Sequence, residues 1–174
     1  MNVRAIVKFA KAATSRVLHR SDVSEQRDLL DTLKEEHDAL RVLLVQLQRA
    51  QAPSERRQLI KQIRATLLPH MKAEEKVVYA ALLTLPHPAA QANAYEGYIE
   101  HEWAAKTLRR LESVSDASSP EHQAVAKVLA ELIDHHLKEE ENSLWSDVEQ
   151  FFSEDTRVEM NTAFLAAKLR VRQH

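Results

Sequence analysis

His70-Met71-Lys72-Ala73-Glu74-Glu75-Lys76-Val77-Val78-Tyr79 and His136-Leu137-Lys138-Glu139-Glu140-Glu141-Asn142-Ser143-Leu144-Trp145 are two copies of one pattern. Each reads histidine, three residues, a Glu-Glu pair, then an aromatic residue at the same offset. Each also comes after a histidine in acidic company: Glu35-Glu36-His37-Asp38 before the first copy, Glu100-His101-Glu102 before the second. The separations nearly match, 33 residues from His37 to His70 and 35 from His101 to His136. Residues four apart on a helix share a face and lie about 6 Å apart along its axis. His70 with Glu74, and His136 with Glu140, can therefore reach one metal site together. Imidazole nitrogen binds iron, zinc and copper well, and inward His and Glu on facing helices are how bundles build such sites.

The flanking residues place these groups on apolar stripes. His37 has Leu33, Leu40 and Leu44 at helical spacing, and His70 has Ile63, Leu67, Val77 and Val78. His101 sits with Ala94, Tyr98, Ala105 and Leu108, and His136 with Leu129, Leu132, Ile133 and Leu144. Glu74 and Glu140 share the stripes. A single histidine on such a stripe is more often a hydrogen-bonded core residue than a ligand, and a lone His-x-x-x-Glu is usually a surface ion pair. One inward histidine on each long helix, with an inward glutamate on alternate helices, argues instead for metal. Buried carboxylates without counter-charge are costly, and cations among them restore the balance. Glu75 and Glu141 stand one residue off the stripe, as acceptors orienting the histidines or as solvated acids. Tyr79 and Trp145 read as core packing, although a tyrosine beside iron can also be redox-active. His19, His87, His122, His135 and His174 read as terminal, loop, first-turn or polar-face residues.

Composition agrees with helices. The 174 residues include one glycine, Gly97, and five prolines, with only 5% aromatic residues and abundant Ala, Leu, Glu, Lys, Arg and Gln. Sheets draw on glycine turns and on aromatic and β-branched strands, so an all-α domain is expected. Pro53, Pro86, Pro88 and the Ser119-Pro120 cap and first-turn signal divide the chain. Helices are predicted from near Ser21–Ser24 to Ala50, from Ser54 to Thr84, from Ala89 to Val114 and from Pro120 to Phe151. A last, short helix runs to about Arg170. Short connections imply an antiparallel, up-down four-helix bundle over 22–152, with a short C-terminal helix packed on it over 153–174. Pro69 falls inside the second helix, where it is expected to kink it.

Other chemistries are excluded or unsupported. Absence of cysteine removes disulfides, thiolate metal sites and cysteine nucleophiles. There is no glycine-rich phosphate loop and no defensible serine or threonine nucleophile. A net charge of −2 gives no global reason to expect nucleic acid. No apolar run is long enough for a transmembrane segment. Residues 1–21 carry Arg4, Lys8, Lys11, Arg16 and Arg20 without an acid, and Val3, Ile6, Val7, Ala10 and Val17 recur at helical spacing. An extra N-terminal helix docked on the bundle or a membrane surface is expected there, the alternative being an organelle transit segment. The expected location is cytoplasmic.

In these motifs the chain resembles the hemerythrin-like, HHE cation-binding family, over about Leu30 to Phe151. The resemblance implies a non-haem di-iron centre with two iron ions. His37 and His70 would bind one, His101 and His136 the other, and Glu74 and Glu140 would bridge them. Oxygen-carrying hemerythrins have a second histidine one turn after the helix-three ligand, where this chain has Ala105. They place an aspartate five residues after the last histidine, whereas Glu140 is four after it. Fewer nitrogen ligands leave more open positions, which favours reaction with dioxygen, peroxide or nitric oxide, or metal exchange, over reversible oxygen carriage. The leading expectation is a di-iron protein that binds or senses dioxygen or a related small oxidant. The alternatives are a peroxide- or nitric-oxide-consuming enzyme at the same centre, an iron storage or delivery protein, and a bundle with a structural metal such as zinc. The sequence names no partner protein.

Overall fold

Asp28 starts the first helix of the computed structural model, which describes residues 27–171. Its carboxylate accepts the Leu30 amide at 2.9 Å, satisfying a donor that the first turn leaves without a partner. Helix α1 (Leu29–Arg49) comes next. The expected start near Ser21–Ser24 lies outside the described residues, but Arg27 and Asp28 are not helical, so α1 begins at Leu29. The expected N-terminal helix over 1–21 also lies outside them. Prolines then open three helices at a position where no amide is needed. They are α2 (Pro53–Glu74), α3 (Pro88–Ser113) and α4 (Pro120–Glu139). His87 caps α3 by accepting the Ala90 amide at 3.2 Å, and Ser119 caps α4 by accepting that of His122 at 3.1 Å. Helix α5 (Glu154–Val171) ends the described chain; expected to be short, it has 18 residues.

Two rods depart from the regular period at equivalent places. After Glu74 a π-helical turn spans Glu75–Tyr79, then α-helix resumes over Ala80–Leu82. After Glu139 a π-helical turn spans Glu140–Leu144, then α-helix resumes over Trp145–Phe151. Such turns insert a residue into the ladder and rotate the next stretch of helix about its axis, and they concentrate at functional sites. At Pro69, by contrast, the chain stays α-helical and the proline is buried, so the break in regularity comes at the glutamate pair rather than at the proline.

The described residues contain no strand, and their helices pack as a bundle. α1 lies against α2 and α4, and α3 against α4. α5 lies across α2 and α1 with Met160, Ala163, Phe164 and Ala167 buried. The apolar interior falls into two clusters. One holds Leu29, Leu33, Val77, Leu82, Leu144, Val148 and Phe164; the other holds Leu40, Leu44, Ile63, Leu67, Leu108, Leu129 and Leu137. On each long helix the inward histidine falls between them, so a polar layer crosses an otherwise apolar core.

Candidate metal centre

That layer gathers all six side chains singled out in the sequence. His37, His70, His101, His136, Glu74 and Glu140 are at most 3% exposed. One ligand atom from each of His37, His70, Glu74 and Glu140 forms a group in which all lie within 4.8 Å of one another; His101, His136, Glu74 and Glu140 form a second group. Glu74 belongs to both through separate oxygens: Oε1 is 3.1 Å from His70 Nε2 and Oε2 is 3.4 Å from His101 Nε2. Glu140 turns one oxygen to both, Oε2 being 3.3 Å from His37 Nε2 and 3.6 Å from His136 Nε2.

The opposite edges of the imidazoles explain how they are aimed. His70 Nδ1 lies 3.0 Å from Glu36, His136 Nδ1 2.8 Å from Glu100, His37 Nδ1 3.0 Å from Glu141, and His101 Nδ1 3.3 Å from Glu75. An ionised carboxylate only accepts, so each Nδ1–H donates outward and each Nε2 faces the centre. The arrangement is cyclic: an acid from each long helix holds a histidine of the next. Glu75 and Glu141 are thus orienting acceptors rather than solvated acids. Glu36 and Glu100 carry the same role, which their sequence context alone did not assign to them. Their position directly before His37 and His101 was the available signal, but pairing with His70 and His136 depends on helix packing.

Tyr79 completes the layer. Its hydroxyl donates to Glu140 Oε1 at 2.6 Å and lies 3.1 Å from His101 Nε2. The ring occupies space that any side chain at position 97 would take, since a Cβ on Gly97 would stand 2.6 Å from Tyr79 Cζ. Trp145 tilts against the His37 ring, with centroids 5.3 Å apart. The remaining histidines stay outside the layer. His135 is exposed, His87 caps α3 and packs on Phe151, and His122 is buried but is not among the grouped residues. His19 and His174 lie outside the described residues.

Proton affinities reflect the crowding of opposite charges. Burial alone would push the His37 imidazolium down, but Glu140 and Glu74 outweigh it and carry its pKa up to about 10. His101 rises to about 9, burial being outweighed by Glu74 and Glu75. His70 also rises against burial, through Glu74 and Glu36. Burial pushes Glu74 up, yet His70, His101 and His37 hold it well below the usual carboxylate range. Glu140 is raised by burial and by Glu74, and lowered on balance by His136 and His37. Burial, then Glu140 and Glu74, push the Tyr79 phenol far up, so it keeps its proton and donates.

The donor set fits a pair of cations on two grounds. First, His37 Nε2, His70 Nε2, both Glu74 oxygens and Glu140 Oε2 are buried without a hydrogen-bond partner, and all point to the centre. Second, ligands about 2.1 Å from one ion stand about 3.0–3.4 Å from each other. Of the five His Nε2–Glu separations around the centre, three, at 3.1–3.4 Å, fall within that spacing and two, at 3.6 and 3.8 Å, lie just above it.

No solved structure gives a significant match to the chain. A protein named DNA nickase from Nostoc sp. (strain PCC 7120 / SAG 25.82 / UTEX 2576) is 26% identical over 169 residues. The alignment covers 97% of this chain and 47% of that protein, so the chain spans about half the length of the curated relative it matches. The model of the hemerythrin HHE cation binding domain matches residues 28–146, most of the chain and all six inward side chains. The chain belongs to the hemerythrin HHE cation-binding family.

Proposed function

We propose that the chain holds two iron ions in this layer and binds or senses dioxygen or a related small oxidant such as peroxide or nitric oxide. His37 and His70 hold one ion and His101 and His136 the other, with Glu74 and Glu140 shared, in four helices of alternating direction. The observation that carries this reading is the set of five buried, partnerless polar atoms converging on one centre. When bound, the iron pair supplies the electrons for the redox chemistry. The chain does the rest. Four carboxylates orient the imidazoles, two apolar clusters exclude bulk water, and Tyr79 holds a proton at its hydroxyl against Glu140. The absence of a histidine at Ala105 leaves fewer nitrogen donors than a reversible carrier uses.

The test is iron loading without oxygen, then exposure to air. Two irons per chain and a near-ultraviolet absorption of a ferric pair are expected; iron bound below one per chain, or no spectral change in air, overturns the reading. Peroxide or nitric oxide consumption faster than that of free iron would move it to the enzymatic alternative, and rapid loss of iron to a chelator to the storage or delivery alternative. The relative named DNA nickase motivates a second reading, in which DNA is a partner. A phosphodiester could not reach side chains at most 3% exposed, so DNA would be met away from the layer. Nicking of supercoiled plasmid by the iron-loaded chain is the measurement that would favour it.

A further inference from the structure

The four carboxylates that aim the histidines are not electrically alike, and the difference comes from a helix outside the family match. Behind His70, Glu36 is paired with Lys168 of α5. Lys168 is 7% exposed, in a buried helix face with Met160, Asn161, Ala163, Phe164 and Ala167. The same helix sets Phe164 edge-on to the His70 ring, with centroids 6.0 Å apart, and the Lys168 ammonium 5.5 Å from the Phe164 ring centroid. Behind His37, Glu141 is paired with Arg41 at 2.8 Å, and Arg41 is 26% exposed. The carboxylates on the other side meet solvated partners. Glu75 pairs with Lys72, 58% exposed, and Glu100 with His135, 61% exposed. A cation shielded from water acts on its neighbours far more strongly than one in high dielectric.

We infer that Lys168 is a positioning residue that makes the two cation positions unequal, weakening the His37/His70 position by neutralising part of the charge that Glu36 sets behind His70: the ammonium takes one Glu36 oxygen while the other stays 3.0 Å from His70 Nδ1. A carboxylate that accepts fully from Nδ1–H makes its imidazole a better donor at Nε2, and these outer partners change metal affinity by about 10–100-fold. A buried ammonium on Glu36 withdraws part of that support and adds a like charge near the bound ion. Among the described residues, nothing comparable stands behind His101 or His136. The ions therefore enter in order, first at His101/His136 and then at His37/His70. This inference rests on the proposal that the layer holds two cations.

The experiment titrates the full-length, metal-stripped chain with Co2+ in the absence of oxygen, monitoring visible absorption and the paramagnetically shifted, exchangeable Nδ1 protons. The wild type is expected to take up two equivalents in two resolved steps. Lys168→Met keeps the apolar stem and should tighten the second step about tenfold, leave the first within about twofold, and shift the His70 Nδ1 proton most. Lys168→Arg should restore the wild-type gap. In a Glu36→Gln background, Lys168→Met should no longer tighten the second step, because its route to His70 is gone. Lys72→Met should leave both steps in place. If Lys168→Met moves both steps alike, or loosens them, its role is only to anchor α5 and the inference fails while two-cation binding stands. If no Co2+ is taken up by the wild type, the two-cation proposal fails with it.

Discussion

Gly97→Ala is the substitution whose outcome the packing fixes most sharply. In an exposed helix the change would stabilise by about 1 kcal/mol, because alanine is the better helix former. Here a Cβ would stand 2.6 Å from Tyr79 Cζ and Oη, and 2.8 Å from Cε2. Carbon contacts are comfortable near 3.5–4.0 Å, so the ring would have to retreat by about 1 Å. It has no room to do so, being fully buried and packed at 5.2 Å on both Tyr98 and His101. Overpacking of this kind costs about 1–3 kcal/mol. A 1 Å retreat also breaks the 2.6 Å hydrogen bond to Glu140, a bond to a charged group worth about 1.5–3 kcal/mol. Against the propensity gain, the net expectation is destabilisation of about 2–4 kcal/mol. Urea unfolding of the metal-free chain, with midpoint and slope compared, measures it. The control is Tyr79→Leu, whose side chain ends short of the clash; in that background Gly97→Ala should become stabilising by about 0.5–1 kcal/mol. A stabilising Gly97→Ala in the wild-type background, or the same sign in both, would refute the argument that the glycine exists to admit the tyrosine.

The same layer governs several other outcomes. In the metal-free chain His37 and His101 are raised to about 10 and about 9, above the unfolded value near 6.5, so they bind protons more tightly folded than unfolded. Their contribution is fully present below about pH 6.5 and is lost as pH rises through about 9 to 10; the metal-free melting temperature should therefore fall over that window. With divalent cation the trend should be opposite at first, since binding must displace those protons and tightens as pH rises from 6. Glu100→Gln removes the acceptor 2.8 Å from His136 Nδ1 and should weaken binding of one equivalent of Co2+ by about 10–100-fold, read by competition with a chelating dye. Leu129→Ala, buried in the apolar cluster away from the polar layer, should cost about 2–5 kcal/mol in unfolding free energy while leaving cation stoichiometry unchanged. Saturation with divalent cation at about 100 times its dissociation constant should stabilise the fold by about 2.7 kcal/mol per site, and a chelator should remove that gain.

Helical class and the inward set of six are legible in the chain before it folds. Glycine scarcity, proline-opened helices and a four-residue His–Glu offset are local properties, and a helix converts such offsets into faces without knowledge of its neighbours. Duplication supplies the remainder, because two phased copies imply two matching halves. Local spacing does not contain the pairing across helices. Glu36 and Glu141 each stand one residue from an inward position, yet one supports His70 and the other His37, an outcome set by the packing of α1 on α2 and α4. The π-helical turns after Glu74 and Glu139 were likewise invisible, since a five-residue irregularity hardly disturbs an apolar stripe read over many turns. So was the place of Lys168, which in the chain is one basic residue near the end of a stretch of mixed polar and apolar residues. Burial beside Glu36 gives it electrostatic weight, and burial is a property of assembled helices, not of any one of them.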